Sequence, residues 1–216
     1  MLTKALRLTG ELLIVAAIVI GLWLVYENAV TNTIAKNSAA AAVTKLEQNW
    51  RADDQIKPQQ HEAFALLYIP RLRSDVWGIP VIEGISQPDL VSGVGHYPQS
   101  DLPGQYGNFA IAGHRVTHGQ PFYDFPKLRS GDSVFVQTKT TWYEYRLFAS
   151  KFVTPNDAYV VGRNPGVDLP ADASRLNLIT LTTCDPAWNS YRRWIWWGTL
   201  VGTYSTGHIP LSGVKQ

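Results

Sequence analysis

The sequence predicts a mostly all-β domain that folds as a closed barrel or a sandwich and is preceded by an N-terminal apolar helix. From about His61 to residue 216, short β-rich runs alternate with turns that contain Gly or Pro, which is typical of all-β architectures. Helical patterns are scarce there, and residues 88–91 favour a helix of one or two turns. Residues 12–26, in contrast, form an apolar run without a charge.

The apolar run at residues 12–26 is the core of a candidate membrane anchor. A membrane span needs about 20 mostly apolar residues, and residues 9 and 10 extend the run if Glu11 lies near the interface. The alternative is a cleaved signal peptide, but no small-residue cleavage site follows the run closely. The sequence therefore favours an uncleaved transmembrane anchor at residues 9–27 after a cytoplasmic tail at residues 1–8.

Charges that flank the anchor predict its orientation. Lys4 and Arg7 precede it, whereas Glu27 follows the apolar run directly. Because positively charged flanks stay on the cytoplasmic side, we expect a single-pass protein of the cell membrane with its N-terminus inside and its main domain extracellular. Trp23 and Tyr26 fall where an outer aromatic belt would lie.

Residues 28–60 lack strand signals and connect the anchor to the domain. The Ala-rich residues 39–42 favour helix, and Val43, Leu46 and Trp50 lie at positions i, i+3 and i+7 of one helix face. This segment is either a spacer helix that docks on the domain or a stalk that is only partly ordered. We favour the second interpretation, a partly helical stalk or linker.

The domain assigned to residues 61–216 contains seven β-rich runs. The fourth and fifth runs are separated by a short turn at Lys139 and Thr140, which predicts a β-hairpin. The seven runs occupy residues 65–69, 76–82, 107–113, 133–138, 141–148, 176–184 and 193–204.

Net charge and cysteine content narrow the functional classes. The formal net charge is +2 and no block of like charges occurs, so we expect no nucleic-acid partner. The chain has one cysteine, which cannot form an intrachain disulfide. Because no acidic loop cluster suggests a calcium site, we expect no metal site and no other cofactor.

The single cysteine, Cys184, ends an apolar, β-branched run that begins at Leu178 and is closed by Asp185 and Pro186. The run indicates a buried strand and the Asp-Pro pair a turn. A lone thiol at a strand end, with histidines and arginines elsewhere, is typical of a catalytic cysteine. A free cysteine is also among the most buried residue types, so this stretch alone favours neither interpretation.

Two further residues could share a site with the thiol. His114 follows the apolar strand 107–113, and Arg193 opens the last long strand nine residues after Cys184. A thiolate is a strong nucleophile, a histidine can protonate a leaving amine, and an arginine can donate to an oxyanion. His114 could instead be a satisfied buried histidine. Arg192 competes with Arg193, and strand alternation directs the two to opposite faces.

At this point three motifs in order resemble the sortase family. Residues 180–184, Thr-Leu-Thr-Thr-Cys, are similar to the family's TLxTC motif, residues 111–115 to its histidine motif, and Arg193 to its arginine strand. The resemblance covers about residues 62–216. It implies a closed eight-stranded β-barrel with short helices, and it implies that Cys184, His114 and Arg193 are catalytic.

Finer detail resembles the actinobacterial class E sortases. Residues 95–98, 102–104 and 107–115, together with the double Thr before Cys184, carry this likeness. It implies a housekeeping enzyme with a sorting signal of the Leu-Ala-x-Thr-Gly kind rather than Leu-Pro-x-Thr-Gly. By the same resemblance, we expect four residues to bind substrate: Tyr97, Thr182, Thr183 and Arg115.

The sequence departs from the class at several positions near these motifs, including Trp194, Trp196 and Trp197 of the last strand, where smaller aliphatic residues are usual. Asp185 follows the cysteine where His is expected, and His118 lies in a loop that often carries Tyr. A carboxylate near a thiol tends to raise the pKa of the thiol. We therefore expect Asp185 to face away from Cys184 or to bond to the following turn, and we expect these changes to alter substrate preference more than chemistry.

The resemblance implies a cysteine transpeptidase that cleaves secreted proteins at a C-terminal sorting signal between Thr and Gly. Cys184 would form a thioester, Arg193 would stabilise the oxyanion, and His114 would protonate the departing amine. An amine of a lipid II-like peptidoglycan precursor would then release the acyl group. The alternatives are a pilin-polymerising enzyme, a cysteine hydrolase and, from another class, a non-catalytic β-barrel that binds cell-wall partners.

Overall fold

The computed structural model describes residues 2–52, 58–170 and 177–207. Four parts of the sequence predictions fall outside these residues. They are residue 1 of the expected cytoplasmic tail, residues 53–57 of the expected stalk, residues 171–176 of the predicted domain, which include the first residue of the run at 176–184, and residues 208–216 at the end of that domain.

The N-terminal part of the chain is helical. Helix α1 spans Leu2–Val25, a π-helical turn spans Tyr26–Val30, and helix α2 spans Thr31–Ala52. The apolar side chains of α1 are exposed, and residues Thr3–Val25 are long and apolar enough to cross a membrane. Within α1, Glu11 pairs with Arg7 one turn earlier, at 2.9 Å between Oε1 and Nε, which partly offsets the cost of a carboxylate in this stretch.

Helix α2 packs against the domain, in contrast to the partly ordered stalk that the sequence favours. Leu46 is 1 % exposed and lies in an apolar cluster with Leu66 and Ile82 of the sheet. Lys45 Nζ also lies 2.6 Å from Glu62 Oε1. Val43, Leu46 and Trp50 do share one helix face, as their spacing predicts. How closely this face docks on the domain could not be predicted, because it depends on apolar partners about 20 to 35 residues away.

Eight strands form a closed barrel, which confirms the predicted fold class. Their order around the barrel is β1-β2-β3-β4-β7-β8-β6-β5. The strands are β1 Ala63–Tyr68, β2 Trp77–Glu83, β3 Val94–His96, β4 Gly107–Ala112, β5 Ser133–Gln137, β6 Thr141–Val153, β7 Asn177–Asp185 and β8 Arg192–Ser205.

Two local predictions about the barrel are confirmed and one strand was missed. β5 and β6 form the predicted antiparallel hairpin, and helix α3 at Gln87–Ser92 includes the predicted turn at residues 88–91. The missed strand, β3, has three residues and lies parallel to β2 and antiparallel to β4. A strand this short is below the length at which alternation can be detected.

Alternation along β4, β7 and β8 separates the barrel interior from an outer face. Phe109, Ile179 and Leu181 belong to the central core, whereas Ala110, Ile195 and their neighbours pack outside beneath a 3-10 turn at Ala158–Val161. Thr182 is opposite Ile195 in the β7–β8 ladder, so it shares the outer face. The next outward positions on these two strands are those of the candidate site.

A buried polar network holds the covering turn in place. Asn108 is fully buried and its Nδ2 donates to the carbonyl oxygens of Val160 and Gly162, at 3.3 and 2.9 Å. The hydroxyl of Thr180 donates to Asn108 Oδ1 at 2.7 Å. Because a buried amide must satisfy its hydrogen bonds, this network determines where the turn crosses the outer face of β4 and β7.

Candidate active site

Cys184 is a half-buried free thiol on the outer face at the end of β7. It is directly opposite Arg193 in the antiparallel β7–β8 pair, and directly opposed residues project from the same face of a sheet. The side chains of Cys184 and Arg193, both predicted from the sequence to be catalytic, therefore extend from directly paired positions of one rigid β-ladder.

His114 lies two residues beyond the end of β4, and the backbone before it is tied to β7. Gly113 donates its N–H to the carbonyl of Thr182 at 3.1 Å, and its own carbonyl accepts the Thr183 hydroxyl at 2.9 Å. A Cβ at Gly113 would lie 2.6 Å from the ring of Phe122, so a larger residue would displace this segment. The register of β4 and β7 thus places the histidine beside the cysteine strand.

The environment of His114 keeps its imidazole neutral. Burial, and to a lesser extent the neighbouring His118, lower the pKa of His114 from its ordinary value of 6.5 to about 4. The two imidazole rings lie 5.2 Å apart between centroids. His114 Nε2 is buried without a hydrogen-bond partner among the described residues, which leaves it able to exchange a proton with a bound group.

Cys184 and His114 line one cavity of about 580 Å³. Four segments line it: the loop after β4, the end of β7 with the loop that follows, the start of helix α3, and the C-terminal end of α1 with the π-helical turn. Its described lining residues are Trp23, Leu24, Glu27, Gln87, His114, Arg115, Val116, Thr117, His118, Cys184, Ala187, Trp188 and Ser190.

The contacts of Arg192 and Arg193 differ, and the difference indicates which guanidinium is available to the site. Asp185 projects to the side opposite Cys184 by strand alternation, and its carboxylate pairs with Arg192 Nε at 2.6 Å and Arg115 Nη1 at 3.1 Å. Arg192 is therefore engaged on the far face. Within the described part of the chain, Arg193 donates to the backbone carbonyls of Ser190 and Arg192, at 2.9 and 3.3 Å, and not to a carboxylate. It does not itself line the cavity among the residues described.

The four residues expected to bind substrate occupy different environments. Arg115 lines the cavity and donates to the Cys184 carbonyl at 3.4 Å as well as to Asp185. Thr182 and Thr183 are buried and bond to the backbone of the strand before His114. Tyr97 packs on the outer apolar cluster, and its hydroxyl lies 3.3 Å from Thr182 Oγ1. Only Arg115 of these four is part of the described cavity lining.

The loop between His114 and Phe122 carries backbone strain beside the cavity. Thr117, His118 and Gln120 all have positive φ angles, of 57°, 49° and 42°, which are uncommon for residues with a Cβ. Such conformations persist where surrounding contacts determine them and often occur at functional sites. Here the N–H groups of His118 and Gly119 donate to side chains at the start of α2.

Comparison with known proteins identifies the family to which this site belongs. Residues 67–201 match the sortase domain. The chain belongs to the sortase family. This match runs from the end of β1 through most of β8 and includes all three residues that the sequence motifs selected, so the resemblance to sortases stated from the motifs is confirmed.

Relatives place the chain near the class E sortases, as expected. It is 35 % identical over 212 residues to sortase SrtE1 of Streptomyces coelicolor, covering 91 % of this chain and 57 % of that protein. It is 33 % identical over 219 residues to SrtE2 of the same organism, covering 93 % and 83 %. The structure of sortase E from Streptomyces avermitilis is 39 % identical with a TM-score of 0.59, covering 69 % of this chain and 94 % of that one.

Sequence reasoning missed the part of the site that comes from the N-terminal helix. Trp23, Leu24 and Glu27 line the cavity with Cys184, although they precede the cysteine by more than 150 positions. Trp188, in the loop after β7, is 72 % exposed and also lines it. No spacing or periodicity relates these segments, since their proximity results from the docking of α2 on the barrel.

Proposed function

We propose that this sortase is a membrane-anchored transpeptidase that cleaves secreted proteins at a C-terminal sorting signal and joins them to an amine of a cell-wall precursor. The observation that carries the proposal is the shared cavity of Cys184 and His114, with Arg193 opposite the thiol in the β-ladder. Nucleophile, proton carrier and cation are the three groups that acyl transfer from a peptide to an amine requires.

In the first step, the sulfur of Cys184 attacks the carbonyl carbon of the Thr–Gly bond. Because His114 is neutral at pH 7, it can accept the proton of the thiol as this S–C bond forms. The C–N bond then breaks, and the protonated imidazole donates that proton to the departing glycine amine. The product is a thioester on Cys184, and His114 returns to its neutral form.

Arg193 stabilises the negative charge that develops on the carbonyl oxygen between these two events. Its guanidinium is permanently charged, and its present bonds are to backbone carbonyls rather than to a carboxylate. It can therefore turn to a substrate oxygen without breaking an ion pair. Arg192 would have to leave Asp185 to do the same.

In the second step, an amine resolves the thioester. Its nitrogen forms the new amide bond, the C–S bond breaks, and the amine proton returns to sulfur through His114. The proposed natural acceptor is a lipid II-like peptidoglycan precursor. Water as acceptor would make the chain a hydrolase, and a lysine of another protein would make it a pilin polymerase.

Two of the proposed substrate-binding residues, Tyr97 and Thr182, lie on the outer face of the sheet. The hydroxyl of Tyr97 lies against Thr182, which projects from the same face as Cys184 two residues later. We propose that Tyr97 contacts a peptide that runs along β7 toward the thiol. We propose a supporting role for Thr183 and Arg115, since their bonds to Gly113 and to Asp185 hold the strand ends that carry His114 and Cys184.

Membrane anchoring is supported by the exposed apolar surface of α1. Lys4 and Arg7 before the uncharged run at residues 12–26 and Glu27 after it favour a cytoplasmic N-terminus and an extracellular catalytic domain. In this orientation the barrel lies where secreted proteins and lipid-linked cell-wall precursors are both present. The proposed place of action is the outer surface of the cell membrane.

The experiment uses the full chain in lipid nanodiscs with quenched Leu-Ala-x-Thr-Gly and Leu-Pro-x-Thr-Gly peptides. Products are read by mass spectrometry with and without diglycinamide or diaminopimelate. We expect an amide-exchange product, with the Leu-Ala-x-Thr-Gly peptide preferred, and its loss together with the thioester in Cys184→Ala. Retained exchange in Cys184→Ala would contradict the proposal. Hydrolysis that no amine alters would favour the hydrolase, and inertness to thiol reagents and peptides would favour a binding barrel.

A further inference from the structure

The outer end of the N-terminal helix forms one wall of the active-site cavity. Trp23 and Leu24 belong to the last turn of α1, and Glu27 belongs to the π-helical turn that follows. All three line the same 580 Å³ space as Cys184 and His114. A part of the chain that would otherwise serve only as an anchor is therefore in contact with the space where acyl transfer would occur.

Hydrogen bonds fix this wall relative to the catalytic loop. The N–H of Gly119 donates to Asn32 Oδ1 at 2.8 Å, and the N–H of His118 donates to the hydroxyl of Thr31 at 3.4 Å. That hydroxyl in turn donates to the carbonyl of Glu27. Glu27 thus lies one helical turn before the residues that bind the loop of His114, and the docked helix α2 continues from there.

Glu27 supplies a negative charge that no described partner neutralises. It is the one carboxylate among the described residues that line the cavity. Its half-buried side chain makes no ion pair or hydrogen bond with the described part of the chain. The cation in the same lining, Arg115, is held by Asp185. A π-helical turn is rare and is frequent at functional sites, and here it contains Glu27.

We propose that Glu27 binds the ammonium group of the acceptor, so that the outer end of the N-terminal helix forms the acceptor subsite of the transpeptidase. This inference rests on the transpeptidase function proposed above and identifies where its second substrate enters. Carboxylates bind ammonium groups through charge-assisted hydrogen bonds. The cavity contains such a carboxylate and the thiol that would carry the acyl group.

The position of Glu27 also selects the kind of acceptor. The apolar stretch of α1 ends at Val25, and Glu27 follows two residues later, about 3 Å further along a helix. With α1 in a membrane, this carboxylate lies at the outer interface, where Trp23 belongs to the aromatic belt. An amine bound there is at membrane height, which fits an acceptor whose amine is attached to a lipid.

The transfer balances in protons and bonds. The bound ammonium first releases one proton to solvent, because only the neutral amine is nucleophilic. The amine nitrogen then attacks the thioester carbonyl, a C–N bond forms and the C–S bond breaks. The second proton passes from nitrogen through His114 to the sulfur of Cys184, which regenerates the free thiol.

The test compares Glu27→Gln with Glu47→Gln, a matched change at an exposed carboxylate on α2 outside the cavity. The full chain in nanodiscs is acylated with the sorting peptide, and two acceptors are compared. Diglycinamide is mostly cationic at neutral pH, whereas hydroxylamine is uncharged. In Glu27→Gln we expect the ratio of KM for diglycinamide to KM for hydroxylamine to rise roughly threefold to tenfold, as for loss of one partly exposed ion pair.

Reversing the charge at Glu27 distinguishes an electrostatic effect on the KM ratio from an effect of altered packing. Glu27→Lys should raise the same KM ratio further, while Glu47→Gln should leave it as in the wild type. An unchanged ratio in Glu27→Gln, or an equal loss with both acceptors, would overturn the acceptor subsite. Failure of the wild-type chain to cleave any sorting peptide would instead overturn the transpeptidase function on which the subsite rests.

Discussion

Cys184 and Arg193 are directly opposite each other at the ends of β7 and β8, on the outer face of the barrel. The next pair, Asp185 and Arg192, lies on the other face and is joined by an ion pair of 2.6 Å. Because side chains alternate between the two faces of a strand, the Asp185 carboxylate projects away from the Cys184 thiol although the two residues are adjacent in sequence. On each strand, one residue thus lies on the face of the candidate site and the next forms an ion pair on the other face.

Arg193→Ala should reduce catalysis more than stability. We expect kcat/KM for sorting-peptide cleavage to decrease by about 100-fold, the usual effect of losing one donor to an oxyanion. Arg146→Ala, at an exposed arginine of β6, is the matched control and should change kcat/KM little. A larger loss in a stably folded Arg192→Ala than in Arg193→Ala would show that Arg192 serves the oxyanion.

Asp185→Ala should destabilise the fold because it removes the partner of two arginines. The Asp185 and Arg115 side chains are 9 % and 11 % exposed, so Arg115 would be left as a poorly solvated charge. Removing one partner of a buried pair costs about 3 to 5 kcal/mol. We expect the free energy of unfolding, measured with urea, to decrease by an amount near the lower end of this range. Lys127→Ala breaks an exposed pair with Asp124 and should cost less than about 1 kcal/mol. Equal costs would contradict the structural role of Asp185.

Much of the barrel could be predicted from the sequence, because most of its strands carry their own signals. Alternation and turn residues predicted the hairpin of β5 and β6, and the apolar run before Cys184 predicted β7. Strand β3 was missed since three residues hold too little pattern. Closure of the barrel depends on pairings such as β4 with β7, about 70 residues apart, and only the family resemblance supplied it.

The candidate site divides in the same way. Cys184, His114 and Arg193 were selected because each lies at a strand end within a recognisable motif. Glu27 and Trp188 carry no motif, and their approach to the cavity depends on how α2 and the loop after β7 pack. The partners of Asp185 were also beyond prediction, since the bond to Arg115 joins residues 70 positions apart.

The low pKa of His114 predicts a dependence of stability and activity on pH. The pKa is lowered from 6.5 to about 4 in the folded chain, mainly by burial, so between these values the unfolded chain binds a proton that the folded chain excludes. The free energy of unfolding should therefore decrease as the pH falls from about 6.5 toward 4, and this decrease should be smaller in His114→Gln.

Three measurements check this pH dependence. Urea denaturation at pH 7 and pH 5 compares the wild type with His114→Gln, and NMR follows the His114 imidazole directly. The acid limb of kcat/KM, which reports the free enzyme, should lie well below pH 6.5, since the neutral imidazole is the proposed proton acceptor. An imidazole that titrates near 6.5 would contradict the burial seen around His114.

Docking of α2 on the barrel predicts that its buried face contributes to stability. Leu46 is 1 % exposed among apolar residues of β1 and β2, so Leu46→Ala should lower the free energy of unfolding by about 2 to 5 kcal/mol. Ile34 lies on the same helix but is 49 % exposed, and Ile34→Ala should cost less than about 0.5 kcal/mol. Urea denaturation of the full chain in detergent micelles measures both. Equal small effects would show that α2 is the loosely attached stalk favoured by the sequence, and would separate Glu27 from the catalytic cavity.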